Sequence, residues 1–185
     1  MVKPLKFGYE GEGPLIGRKT AYASYPEVSV GSVVSAAELR NIDSIYYVVD
    51  SNHADLVNDL RSTNLQGITA LTLDFRVEFY RFFEGISFAL RFIRCDEFTK
   101  ISDIPIKTSA HSSNYIKMVC EDINDFQSYV TKANEIAEDG HTVLLMPDFL
   151  INCPRKLGAE MMAVFDLIHR RVRVMPPVHH VLEMD

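Results

Sequence analysis

The chain has 185 residues, 47% of them hydrophobic and 24% charged, with a formal net charge of −6 at pH 7. That is enough chain for a single domain, 1–185, with a substantial core, and the acidic balance argues against nonspecific nucleic-acid binding, which needs a basic field. No apolar run approaches the roughly 20 residues that span a bilayer, and Met1 to Lys6 has no apolar core of signal-peptide length, so a cytoplasmic protein without membrane contact is expected.

In chain order, residues 3–9 read as a first strand. It enters a loop, Gly8 to Gly17, with Gly11, Gly13 and Pro14 inside it, where backbone can approach a ligand or simply turn. Residues 20–25 read as a second strand and 26–35 as a polar connector. Ser35 and Glu38 have capping-box spacing, which predicts a short helix over 36–41. Residues 44–50 are a buried strand by their β-branched and aromatic content. Ser51-Asn52-His53 caps a helix whose buried face is Ala54, Val57, Leu60 and Arg61. Residues 68–73 are the next strand, which completes a βαβ unit with a right-handed crossover.

Phe75, Phe79, Phe82 and Phe83 have helical spacing, so 75–85 reads as an amphipathic helix; the other reading is a hairpin strand at 77–80. The aromatic stripe is either core or a partner-facing patch. Residues 86–94 are a strand and 97–113 a loop. Residues 115–120 are a strand, and Asp122 caps a helix over 123–139 that buries Phe126, Val130, Ala133, Ile136 and Ala137. Gly140 ends it. A strand at 142–146, a helix over 154–169 and strands at 172–175 and 178–182 finish the chain. His169, Arg170 and Arg171 crowd the end of that last helix, where they suit its dipole or an acidic ligand. Cys95, Cys120 and Cys153 are odd in number and lack C-x-x-C spacing, so buried free thiols are expected.

Several landmarks together resemble 7-carboxy-7-deazaguanine synthase, a radical SAM enzyme family of queuosine biosynthesis. They are the run Glu10-Gly11-Glu12-Gly13-Pro14-Leu15-Ile16-Gly17-Arg18 between two strands, Tyr115-Ile116-Lys117-Met118-Val119, Val143 to Pro147, and Arg173-Val174-Met175-Pro176-Pro177-Val178-His179. The stretch 35–109 matches by position alone. The resemblance implies an α/β fold, a mostly parallel curved sheet forming a partial (βα) barrel with helices outside.

The same comparison predicts a loss of chemistry. Where the family carries a C-x3-C-x2-C loop, this chain reads Ala23-Ser24-Tyr25-Pro26-Glu27-Val28-Ser29-Val30-Gly31. Three thiolates are needed to hold the cluster with one iron open, so neither an iron–sulfur cluster nor SAM is expected. The family's SAM-binding turn is also missing, since Asp74-Phe75-Arg76-Val77-Glu78 follows the strand. Glu10 stands where the family has glutamine.

The ligand-binding candidates are therefore Glu10, Gly11, Glu12, Gly13, Arg18, Lys117, Arg173 and His179, with no catalytic or metal residues. Glu10 and Glu12 point the same way on an extended stretch and suit a hard cation or an amine, or merely water. Lys117 and Arg173 project from strands that would line the mouth that the family uses, as retained binding residues or as ordinary salt-bridge partners. His179 and His180 face opposite sides of a strand and do not share an ion easily. His53 belongs to a helix start, and His111 lies in a serine-rich loop without readable triad spacing. Three functional classes follow. The first is a binding, assembly or regulatory protein without radical chemistry, a pseudoenzyme. The second is a cluster-independent enzyme or pathway subunit that binds a purine, pterin or deazapurine. The third is a structural subunit. A homodimer or another protein partner fits each.

Overall fold

The computed structural model describes residues 6–8, 20–25, 27–39, 42, 44–49, 53–63, 70–83, 90–105, 113–148 and 167–175. They form one eight-stranded sheet with its strands in chain order. Strand β1 (Lys6–Gly8) pairs antiparallel with β2 (Thr20–Tyr25). From β2 onward every pairing is parallel, through β3 (Ser44–Val49), β4 (Ala70–Arg76), β5 (Leu90–Arg94), β6 (Ser113–Cys120), β7 (Val143–Pro147) and β8 (Val172–Val174). Seven parallel strands joined through helices make the protein α/β, as expected. A hairpin at 77–80 is excluded, because β4 and β5 run parallel.

Alternation sorts each strand into two faces. One face carries Ala21, Ala23, Tyr25, Ile45, Tyr47, Val49, Leu73, Phe75, Ile93, Ile116, Met118, Cys120, Val143, Leu145 and Val172, all in a single buried cluster. The helices α1 (Val30–Leu39), α2 (His53–Ser62) and α3 (Phe126–Glu138) add their apolar sides to that same cluster. The strand order never reverses, so same-handed crossovers keep the described helices on one side. The opposite face is the one left for a site.

Helix α1 corrects two expectations. It begins at Val30, inside the stretch read as a connector, and it runs through Ser35 rather than starting there. Val30, Val33, Val34 and Ala37 repeat at helical spacing and are buried. That stripe outweighs the capping-box outline at Ser35, which is exposed within the helix. The start is instead fixed by Asp59 of α2, whose Oδ2 accepts from the Val30 backbone N–H at 2.7 Å. Ser29 Oγ takes the Ser32 N–H at 3.2 Å.

On α2 the buried face is Leu56 and Leu60 with Val57 beside them, whereas Ala54 and Arg61 are exposed. The expected face was rotated by about one position.

Strand β4 runs three residues past the end of the 68–73 expected and so carries Asp74, Phe75 and Arg76. A 3-10 helix, Val77–Phe83, follows it in place of an α-helix. Phe75 and Phe83 are fully buried with ring centroids 4.8 Å apart. Tyr80 is buried too, and Phe82 is 53% exposed, so most of the aromatic stripe is core. Burying each such ring contributes about 2 kcal/mol.

Asp122 caps a single 3-10 turn, Ile123–Asp125, by accepting from Asn124 N at 2.9 Å, and α3 continues from it. The buried face of α3 is Phe126, Val130, Ala133, Ile136 and Ala137, as the periodicity predicts. Gly140 ends it at φ +100°, a conformation that favours glycine. Arg171 Nη1 donates to the Gly140 carbonyl at 2.7 Å. Part of the basic cluster at 169–171 therefore serves the end of α3. Residues 167–171 are turn and irregular structure, so the helix expected over 154–169 does not reach 169; positions 154–166 lie outside the described residues.

Candidate functional site

The face away from the helices is built in levels set by strand register. Its apolar floor is Tyr46, Phe92 and Leu144, which come from three successive register levels and form a small buried cluster with Tyr22, Val48, Tyr115 and Met175 partly buried against it. Ring centroids step from Tyr22 to Tyr46 at 5.3 Å, from Tyr46 to Phe92 at 5.5 Å and from Phe92 to Tyr115 at 5.9 Å. This layer is closed by its own packing.

Within it stands Asp74, 1% exposed. It shares a level with Val48 and Phe92. A carboxylate so buried requires partners, and three neighbouring strands supply them. Lys117 Nζ on β6 donates to Asp74 Oδ2 at 2.8 Å and to the Tyr46 hydroxyl at 2.9 Å. Tyr46 OH on β3 itself donates to Asp74 Oδ2. Arg94 Nε on β5 lies 2.8 Å from Asp74 Oδ1 as an ion pair, off the hydrogen-bond direction. Arg94 Nη2 is steered by the Val49 carbonyl at 2.9 Å. The Lys117 ammonium also lies 5.3 Å from the Tyr46 ring centroid, close enough for a cation–π contribution. One residue from each of β3, β5 and β6 thus converges on the carboxylate carried by β4.

The next level is a row of cations. Arg76 pairs in register with Arg94, Arg94 with Lys117, Lys117 with Leu144, and Leu144 with Arg173. The row opens onto a cavity of about 420 Å³ at the C-terminal ends of β4, β5 and β6. In open α/β sheets ligands bind at this end of the strands. The cavity is lined by Arg76, Arg94 and Lys117 and, past the strand ends, by Glu78, Asp96 and Glu121. Strands β4 and β5 each end in an arginine with a carboxylate two residues on, Arg76 with Glu78 and Arg94 with Asp96, whereas in β6 Lys117 lies three residues before the strand end and Glu121 follows it.

Cys95 and Tyr129 close the helix side of the cavity. Burial pushes the Cys95 thiol up to about 12. It pushes the Tyr129 hydroxyl up as well, with help from a hydrogen bond to Glu97 and its charge. Cys120 is likewise pushed up to about 12 by burial. Both buried thiols fit the core placement expected of them; Cys153 lies outside the described residues.

Of the expected site residues, Lys117 is central to the network. Arg173 shares its level two strands away and is exposed. Glu10, Gly11, Glu12, Gly13, Arg18 and His179 lie outside the described residues, as do His111 and His180. His53 is the first residue of α2. Sequence reasoning missed Tyr46, Asp74 and Arg94. One signal was available: Asp74 is a lone acid in the apolar run Leu71 to Phe75, where a charge on a buried strand demands a partner.

Among the described residues no group of three His, Cys, Asp or Glu side chains is placed to hold a metal. No described helix is long and apolar enough to cross a membrane. No protein-family model and no curated protein matches the chain.

Proposed function

We propose that the chain is a cluster-free relative of the 7-carboxy-7-deazaguanine synthases, a binding, assembly or regulatory protein whose ligand sits at the ends of β4, β5 and β6. The observation that carries this reading is the Asp74 network facing the strand-end cavity. Replacing a buried charge cluster with apolar residues is often neutral or stabilising, so its retention beside a cavity favours a binding role. The parallel strands in unbroken chain order support a sheet curved into a partial barrel. So does the burial of Tyr46 and Phe92 on the face that no described helix covers.

The residues do not fit the family's cluster. The stretch from Ala23 to Gly31 offers hydroxyl, carboxylate and apolar side chains, and part of it is the start of α1. Cys95 and Cys120 hold their protons at neutral pH, whereas iron binds thiolates. No radical step follows from this site. The same resemblance suggests a homodimer and a purine or pterin as the ligand, and a cytoplasmic location belongs to the same proposal.

The test is anaerobic reconstitution of the full chain with iron and sulfide. The protein should stay colourless, and a brown preparation that cleaves SAM refutes the proposal. A second reading, a cluster-independent enzyme, draws on Tyr46 and Lys117, two proton-carrying groups in contact beside the cavity. Turnover of a pterin or deazapurine that Tyr46→Phe abolishes would favour it. Co-purification of one stoichiometric partner would favour an assembly role.

A further inference from the structure

The strand-end cavity is lined by charges of both signs, and most of them are engaged by the protein itself. Arg94 is held by Asp74 and by the Val49 carbonyl. Arg76 and Glu78 face each other at 4.0 Å, both well exposed. Asp96 is turned into its own loop, where Oδ1 accepts from Phe98 N at 3.1 Å and from Thr99 Oγ1 at 2.8 Å.

The wall that β6 contributes is different. Alternation puts Lys117 and Val119 on one face of the strand, and Glu121 lines the same cavity just past the strand end. Cation, apolar side chain and carboxylate follow one another along a single line. At the inner end Lys117 Nζ donates to Asp74 and to Tyr46. An ammonium has three donors, and those are its hydrogen bonds among the described residues. Its side chain keeps 12% exposure. At the outer end Glu121 is exposed and makes no hydrogen bond or ion pair with a described residue.

Spacing along the strand sets the length of a ligand that would touch both ends. Four residue steps separate Lys117 from Glu121, about 13 Å at the backbone. A charge-assisted hydrogen bond at each end takes up about 2.8 Å, which leaves about 7 Å between the ligand's own charges. Val119 lies between them, where a short alkyl stretch suits the wall better than polar atoms. A simple anion would use one end of this line and leave the acid unmet. An α-amino acid, with its two charges adjacent, would reach one end only.

We propose that the β6 wall of the cavity binds a small zwitterion lengthwise, with its oxyanion on Lys117, its alkyl chain over Val119 and its cationic nitrogen on Glu121. The proposal rests on the strand-end cavity being the ligand site and is independent of the lost cluster.

The test titrates the full chain by calorimetry with δ-aminovalerate, whose extended chain matches the spacing. Valerate, pentylamine and glycine are titrated separately at the same ionic strength. Saturable binding of δ-aminovalerate is expected, tighter than that of any of the other three. Glu121→Lys, at an exposed position clear of Asp74, should fold; it should weaken δ-aminovalerate about fivefold and leave valerate as tight or tighter. Lys117→Met, with folding checked by urea denaturation, should weaken δ-aminovalerate and valerate alike, about tenfold. A loss of folding alone cannot produce the opposite responses expected of Glu121→Lys. The proposal is overturned by no saturable binding of δ-aminovalerate, by valerate, pentylamine or glycine binding as tightly, or by an unchanged ratio of δ-aminovalerate to valerate affinity in Glu121→Lys. A brown, SAM-cleaving preparation that still binds δ-aminovalerate would sink the functional reading and spare this one.

Discussion

Replacing Asp74 by leucine tests whether the network is one coupled unit. The substitution keeps a side chain of similar size but removes the carboxylate that Arg94 and Lys117 share. Breaking a buried pair from one side costs roughly 3–5 kcal/mol. The two cations retain 25% and 12% side-chain exposure, so the lower end, about 3 kcal/mol, applies. For a domain of this size that is a fall in Tm of about 6–12 °C. Lys117→Met alone leaves Asp74 its contacts with Arg94 and Tyr46 and should cost about 1–2 kcal/mol. If the losses were independent, the double variant would lie about 4–5 kcal/mol below the parent. Because the second change removes a cation whose shared carboxylate the first had already removed, the double variant should lie only about 2–3 kcal/mol below it. Urea denaturation of the four proteins gives this coupling, about 2 kcal/mol, directly. A cycle additive within about 0.5 kcal/mol, or an Asp74→Leu protein as stable as the parent, would show that the close contacts carry no energetic weight.

Three further outcomes follow. Asp59→Ala removes the acceptor of the Val30 N–H and should cost about 1 kcal/mol, with Asp59→Asn losing less, both read from denaturation midpoints. Gly140→Ala should cost about 1–2 kcal/mol; the position is at φ +100° with no neighbour within 4 Å of an added Cβ, so the whole loss is backbone strain and repacking cannot relieve it. Cys95 and Cys120, both pushed up to about 12 by burial, should resist a thiol reagent at pH 8 until urea unfolds the chain, with mass spectrometry locating the label. Their folded values lie above the ordinary thiol range, so the stability they contribute is complete below that range. It should decline as pH rises toward 12, because only the unfolded chain sheds those protons.

Much of the framework was legible because it depends on local pattern. The β-branched run at 45–49, the 3.6-residue spacing along α3 and the glycine after it each specify one local structure without help from distant residues. The failures fell where a distant partner decided. Ser35 and Glu38 looked like a helix start, yet the true start was set by Asp59, 29 residues away. The phenylalanines at 75–83 looked like one helix. Phase broke at Arg76, because the parallel ladder with β5 holds Asp74 through Arg76 extended.

The candidate site shows the same division more sharply. Sequence alone determined an α/β chain, the want of cysteines where the resembled family binds its cluster, and Lys117 as a residue worth watching. That the carboxylate which holds Lys117 is Asp74, 43 residues back, was decided only when parallel register laid β3, β4, β5 and β6 side by side. Composition and spacing record which charges a chain owns. Which of them must share one buried carboxylate depends on strands that meet only in three dimensions.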